Sequence, residues 1–171
     1  MTQEEVRWLL QGARGERLEA GFILALHTGM RPGEWLGLPW EAVDLEAATV
    51  TVRQALHEEN GKVFLGRVKT KAVLRTITLP PVAVQALRAH RKRQRVERMA
   101  AGATWQDTGL VFTTPEGKLL RRSHVDDRDL GRVVKKARKL AAEAYERQGM
   151  SRSEAQAKAA KLLEGVTLHS F

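Results

Sequence analysis

Between Leu18 and Leu26 the chain reads Leu-Glu-Ala-Gly-Phe-Ile-Leu-Ala-Leu, apolar on almost every side of a helical projection. A helix with apolar residues around most of its circumference has no face to give to water and must be surrounded by other elements. The pattern therefore predicts a buried central helix beginning near Arg17, and Gly29 suits its C-terminal cap. The run soon meets His27, so it is too short to span a membrane.

The neighbours of that helix are legible from caps and periodicity. Thr2 with Glu5 makes a capping box, and Val6, Leu9 and Leu10 recur at helical spacing, predicting a helix over about 3–11 ended by Gly12 and Gly15. Pro32 opens a short helix to Leu36. Thr49-Val50-Thr51-Val52 alternates as a strand, Asn60-Gly61 signals a hairpin returning through Val63-Phe64-Leu65, and Arg75 to Leu79 forms another strand stopped by Pro80-Pro81. These three strands are expected to form an antiparallel meander. Pro81 opens a helix with Val84, Leu87 and Ala83 inward, and its Arg88–Arg98 half is dense in base. After a loop over 102–109, Leu110-Val111-Phe112 is a short buried segment followed by a turn at Pro115-Glu116-Gly117. Ser123 with Asp126 is expected to cap a long helix to Gln148, and Ser151 with Glu154 a further one ending near Gly165. The fold class is α+β, mainly helical, with a small three-stranded antiparallel sheet, and residues 1–171 form one domain.

Charge narrows the partners. The 29 Lys and Arg against 20 Asp and Glu give a formal charge of +9, a surplus that favours polyanions, nucleic acid above all. With no cysteine there is neither a disulfide framework nor a thiolate nucleophile. The acidic, polar N-terminus Met-Thr-Gln-Glu-Glu is no secretory signal, so a cytoplasmic protein with no membrane partner is the simplest reading. His27, His57, His90 and His124 lack metal-site spacing, and Trp8, Trp35, Trp40 and Trp105 are expected to pack rather than stack on bases.

Two short segments carry possible chemistry. In Leu24-Ala25-Leu26-His27-Thr28-Gly29-Met30-Arg31-Pro32-Gly33-Glu34 a buried helix ends at a glycine and an arginine stands at the mouth of the next helix. That geometry can aim a guanidinium and free N–H groups at one anion, with Glu34 holding the Arg31 side chain in place; an ordinary Arg–Glu surface pair fits the same residues. In Lys69-Thr70-Lys71 a hairpin lysine can deliver a proton to a leaving oxygen, but a solvated turn lysine fits these three residues taken alone better.

Order and spacing go further. Thr-Gly-Met-Arg-Pro-Gly-Glu, Leu-Gly-Leu-Pro-Trp-Glu-Ala-Val-Asp-Leu, a strand, then Lys-Thr-Lys with Arg-Thr-Ile-Thr-Leu-Pro is similar to the catalytic domain of tyrosine recombinases, the phage integrase family. Leu110-Val111-Phe112-Thr113 resembles that family's segment before a long helix, and Thr167-Leu168-His169-Ser170-Phe171 the opening of its His-x-x-Arg-His box. The resemblance implies a site-specific recombinase that needs no metal and no nucleotide cofactor: arginines, a lysine and histidines grip a DNA phosphate while a tyrosine attacks it. It assigns Arg31 to the phosphate clamp, Glu34 to its support, Lys69 to the general acid with Lys71 as the competing choice, and His169 to a hydrogen bond on a phosphate oxygen. Lys71, Arg91, Lys92, Arg95, Arg132, Lys135 and Lys136 are the expected DNA contacts.

The resemblance also implies what these residues do not contain. In the family an arginine follows at the position after Phe171, then a histidine and the tyrosine; Tyr145, the one tyrosine here, precedes His169 and reads as a packing or surface residue. A core-binding domain before residue 1 and a C-terminal oligomerisation helix are likewise expected to be missing, and the stretch from Ser123 to Leu163 is longer than the family pattern. The expectation is a C-terminally incomplete catalytic domain, monomeric without DNA, that binds duplex DNA and intact recombinase protomers but does not cut alone. A non-enzymatic module acting as a decoy at recombination sites is the alternative.

Overall fold

The computed structural model describes residues 1–67 and 74–171. Helix α1 (Gln3–Ala13) is capped by Thr2, whose side chain accepts from the Glu5 N–H while Glu5 accepts from Thr2. Helix α2 (Glu19–Thr28) buries Ala20 to Ala25 without interruption and ends at Gly29, whose φ of 61° is the left-handed turn that favours glycine. Helix α3 (Pro32–Leu36) follows at once. The expected stop at Gly12 is corrected: α1 runs through it. A Cβ at Gly12 would meet the Val133 carbonyl and lie 2.9 Å from the Ala137 Cβ, so glycine here lets a later helix close on α1.

The strands are β1 (Val43–Asp44), β2 (Thr49–Val52), β3 (Gln54–Glu59), β4 (Lys62–Arg67) and β5 (Arg75–Thr78). A three-stranded antiparallel sheet is present, but with the order β1-β2-β5, and β3-β4 stands apart as a two-stranded ribbon. The meander is thereby corrected. Val50 pairs with Ile77 and with Val43, while Val63-Phe64-Leu65 returns against Leu56-His57-Glu58. Asn60 and Gly61 both have positive φ, the conformation the Asn-Gly signal demands. The partner strand Gln-Ala-Leu-His-Glu-Glu has little strand propensity of its own, which hid it from a reading of pattern.

Helix α4 (Pro81–Ala101) buries Ala83 and Leu87 and also the polar His90 and Gln94. Residues 109–111 run beside Leu38 to Trp40, with Val111 N–H donating to Leu38 O at 2.9 Å. The long helix begins two residues earlier than expected, as α5 (Arg122–His124), passes through a π-helical turn over Val125–Leu130 and continues as α6 (Gly131–Arg147). Arg121 rather than Ser123 is its N-cap; the Ser123 N–H and Oγ instead donate to Glu58 on β3, at 3.0 and 2.8 Å. Ser151 and Glu154 box the start of α7 (Arg152–Ala160), which stops five residues before Gly165. Tyr145 is a packing residue, edge-on to Trp8, with its hydroxyl donating to Glu4 at 2.6 Å. One apolar core joins all these helices, with Phe22, Trp35 and Phe112 fully buried at its centre. Among the described residues no helix is long and apolar enough to cross a membrane.

Candidate phosphate-binding site

The site starts where α2 stops. Gly29 turns the chain, Arg31 becomes the N-cap of α3 with extended backbone (ψ 151°), and its side chain is exposed. Its backbone is held: the Arg31 N–H donates to Glu34 Oε2 at 2.8 Å. Glu34 is 4% exposed, and the guanidinium of Arg75, first residue of β5, forks onto both its oxygens at 3.0 and 2.7 Å. Burial alone would push the Glu34 carboxyl up, but the bonds from Arg75 and the Arg31 N–H outweigh it and hold it below its usual range. The same pair raises Arg75. Glu34 thus supports Arg31 through the backbone, and the guanidinium it binds is that of Arg75. Arg75 belongs to the Arg-Thr-Ile-Thr-Leu-Pro segment, but nothing in one sequence pairs a strand arginine with a glutamate 41 residues away.

His169 is exposed on a short 3₁₀ turn (Leu168–Ser170) whose N-cap is Thr167. Leu168 is buried, Phe171 lies edge-on to Phe22 of α2 at 6.1 Å, and the Leu168 N–H donates to Asp126 at 3.0 Å. Arg122 Nη1 is 3.3 Å from His169 Nε2. The tail is therefore docked on α2, the helix that delivers Arg31, and on α5, which also packs against α3. The β3-β4 ribbon closes the same end, with Glu58 on Ser123 and Arg121 donating to Gly61 O at 2.8 Å. Lys69 and Lys71 lie outside the described residues.

The remaining basic residues are elsewhere. Arg91 lies over the Trp40 ring at 5.2 Å, while Lys92 and Arg95 are exposed. Their helix is anchored at the start of α2, where Arg93 donates to Glu16 O and Arg17 O and Glu97 binds Arg17. That is the end opposite Arg31, about 15 Å away by helix rise. Lys136 reaches the same region, donating to Arg14 O at 2.7 Å, Arg132 pairs with Asp129, and Lys135 is exposed.

The model of the phage integrase family matches residues 1–158. The chain belongs to the phage integrase family. Among individual relatives, it is 34% identical over 136 residues to a XerC-like tyrosine recombinase of Caldanaerobacter subterraneus subsp. tengcongensis, covering 72% of this chain and 35% of that protein. It is also 34% identical over 128 residues to an integrase of Streptomyces ambofaciens, covering 73% and 33%. The chain spans about a third of the length of these curated relatives. In fold it is similar to the Tn1549 transposon integrase solved in complex with transposon right-end DNA, with a TM-score of 0.71 at 19% identity over 99% of this chain and 49% of that one. The similarity of fold extends over nearly the whole chain, α7 included.

Proposed function

We propose that the chain acts in site-specific DNA recombination, strand breakage and rejoining, by gripping the scissile phosphate of duplex DNA in the cytoplasm. Arg31 presents its guanidinium to the phosphate, Glu34 holds the Arg31 backbone, Lys69 (or Lys71) delivers a proton to the leaving 5′-oxygen, and His169 donates to a phosphate oxygen. The work of such a site is electrostatic: cations placed beforehand stabilise the charge that grows on a phosphorane-like transition state. One observation carries this reading. An exposed arginine is anchored by its own N–H to a buried carboxylate, which fixes the root of its side chain at the mouth of α3. The exposed Lys92, Arg95 and Lys135 add to the positive field that draws in the polyanion.

The test is anisotropy binding of the 171-residue chain to labelled duplex across a salt series. Each phosphate contact contributes about −0.9 to the slope of log K against log salt, and Arg31→Ala should lower the slope by about one. Salt-independent binding, or an unchanged slope in the variant, would overturn the assignment. In a protein that also supplies the tyrosine, Arg31→Ala should slow cleavage about a hundredfold.

A second reading, a non-cleaving module that occupies recombination sites, is favoured by Tyr145. Burial and the bond to Glu4 raise its phenol, the opposite of what an attacking tyrosine needs. Both readings expect no covalent adduct on a nicked suicide duplex; this one also expects the chain to inhibit an intact recombinase on its own site, and the lack of inhibition refutes it.

A further inference from the structure

The π turn over Val125–Leu130 has a cause in the core. Val125 and Leu130 are both buried, and five residues apart on an α-helix they would diverge by about 140°. A π turn, closing through i→i+5 hydrogen bonds, returns both to one face. On its outer side it leaves Asp126 half-buried against the tail, four residues after Arg122.

These two side chains meet consecutive residues of the tail. Asp126 Oδ1 accepts the Leu168 N–H at 3.0 Å, and the Arg122 guanidinium contacts His169 Nε2 at 3.3 Å. An arginine only donates, so Nε2 accepts and the ring proton sits on Nδ1. Thr167 fixes the turn from the other side, accepting from the His169 N–H at 3.3 Å while its own N–H donates to Ser170 Oγ at 3.1 Å. Buried Leu168, and Phe171 on Phe22, close the remaining directions.

We propose that Asp126 is a positioning residue for His169: it sets the backbone height of the tail, and Arg122 then sets the rotation and tautomer of the ring, so that Nδ1–H is the group offered to the phosphate. Asp126 acts only through the tail and does not touch DNA. The proposal rests on the assignment of His169 to the phosphate, but the arrangement itself is measurable without DNA.

The experiment is ¹⁵N NMR of the full 171-residue chain, reading the His169 tautomer and hydrogen exchange at the Leu168 amide. The wild type should show the Nδ1–H form. Asp126→Ala should speed Leu168 exchange about tenfold, the worth of roughly one hydrogen bond, and leave His169 a mixture of tautomers. Asp126→Asn keeps an oxygen acceptor and should restore both. Arg122→Gln, a variant that leaves the core untouched, should shift the tautomer and leave Leu168 exchange unchanged. Unaltered exchange and tautomer in Asp126→Ala, failure of Asn to rescue, or an unaltered tautomer in Arg122→Gln overturns the proposal. Addition of duplex DNA should then move the wild-type His169 signals; if it does not while the Asp126 dependence holds, the phosphate role fails and the positioning stands.

Discussion

At the start of α2, Arg17 donates through Nε and Nη2 to Glu97 at 2.9 and 2.7 Å and reaches Thr113 O, while Arg93 spans Glu16 O, Arg17 O and His90 Nδ1. At the other end of α2, Arg75 makes an equivalent fork on Glu34. Both ends use a glutamate to satisfy an arginine, yet they leave different residues over. At the first end both guanidinium groups are turned inward onto carbonyls, a carboxylate and the His90 ring, and the result is a clamp that ties α4 to residues 16–17 and 113. At the second, Glu34 satisfies Arg75 and also takes the Arg31 N–H, leaving the Arg31 side chain exposed. The difference separates arginines whose guanidinium is spent on packing the fold from one whose guanidinium is left exposed: what matters is which part of the residue is bound.

That contrast can be broken at three points. The largest effect is expected from Arg75→Met, which strands the buried Glu34 carboxylate; about 3 kcal/mol of stability should be lost, read by urea unfolding. A loss below about 1 kcal/mol would mean that Glu34 does not depend on its partner. Next comes acid. His90 is 2% exposed, and burial, with the Arg93 and Arg17 charges adding to it against the pull of the Val111 carbonyl, lowers it from 6.5 to about 4. Its folded value is depressed, so its neutral form favours the fold above pH 6.5, and stability falls as pH drops from 6.5 toward 4. The displacement corresponds to about 3 kcal/mol at most. Glu34, also depressed, supports the fold above its usual 4.5 and loses that contribution only on further acidification. In His90→Gln the slope above pH 4.5 should vanish; a slope that persists would place the titrating group elsewhere. The smallest effect is Arg31→Ala, which should change stability by less than about 0.5 kcal/mol because its side chain is exposed and makes no hydrogen bond or ion pair among the described residues. A larger loss would make Arg31 one more structural arginine and erase the contrast.

Much of this was legible beforehand for identifiable reasons. The capping boxes at Thr2 and Ser151, the glycine cap at Gly29, Pro32 and Pro81 at helix starts and the Asn60-Gly61 turn act within four residues, so local chemistry suffices. The site was legible in part: Arg31 stands at a helix mouth, as its neighbours require, but Glu34 binds the Arg31 N–H and the Arg75 guanidinium rather than the Arg31 side chain. The Arg75 fork, the Asp126 bond to Leu168 and the Glu58 bond to Ser123 were not legible, since each joins residues more than 40 apart.

By itself, then, the sequence determined most of the periodic elements, the caps at Thr2, Gly29 and Ser151, the buried central helix and the likeness to tyrosine recombinases. Only the tertiary structure decided that β2 pairs with β5, that the long helix takes a π turn, and that α4 is anchored, through Arg93 and Glu97, at the far end of α2 from Arg31. Backbone propensity and caps are short-ranged, whereas strand pairing, helix register and ion-pair choice are settled by which surfaces can be buried together without leaving a polar group unpaired.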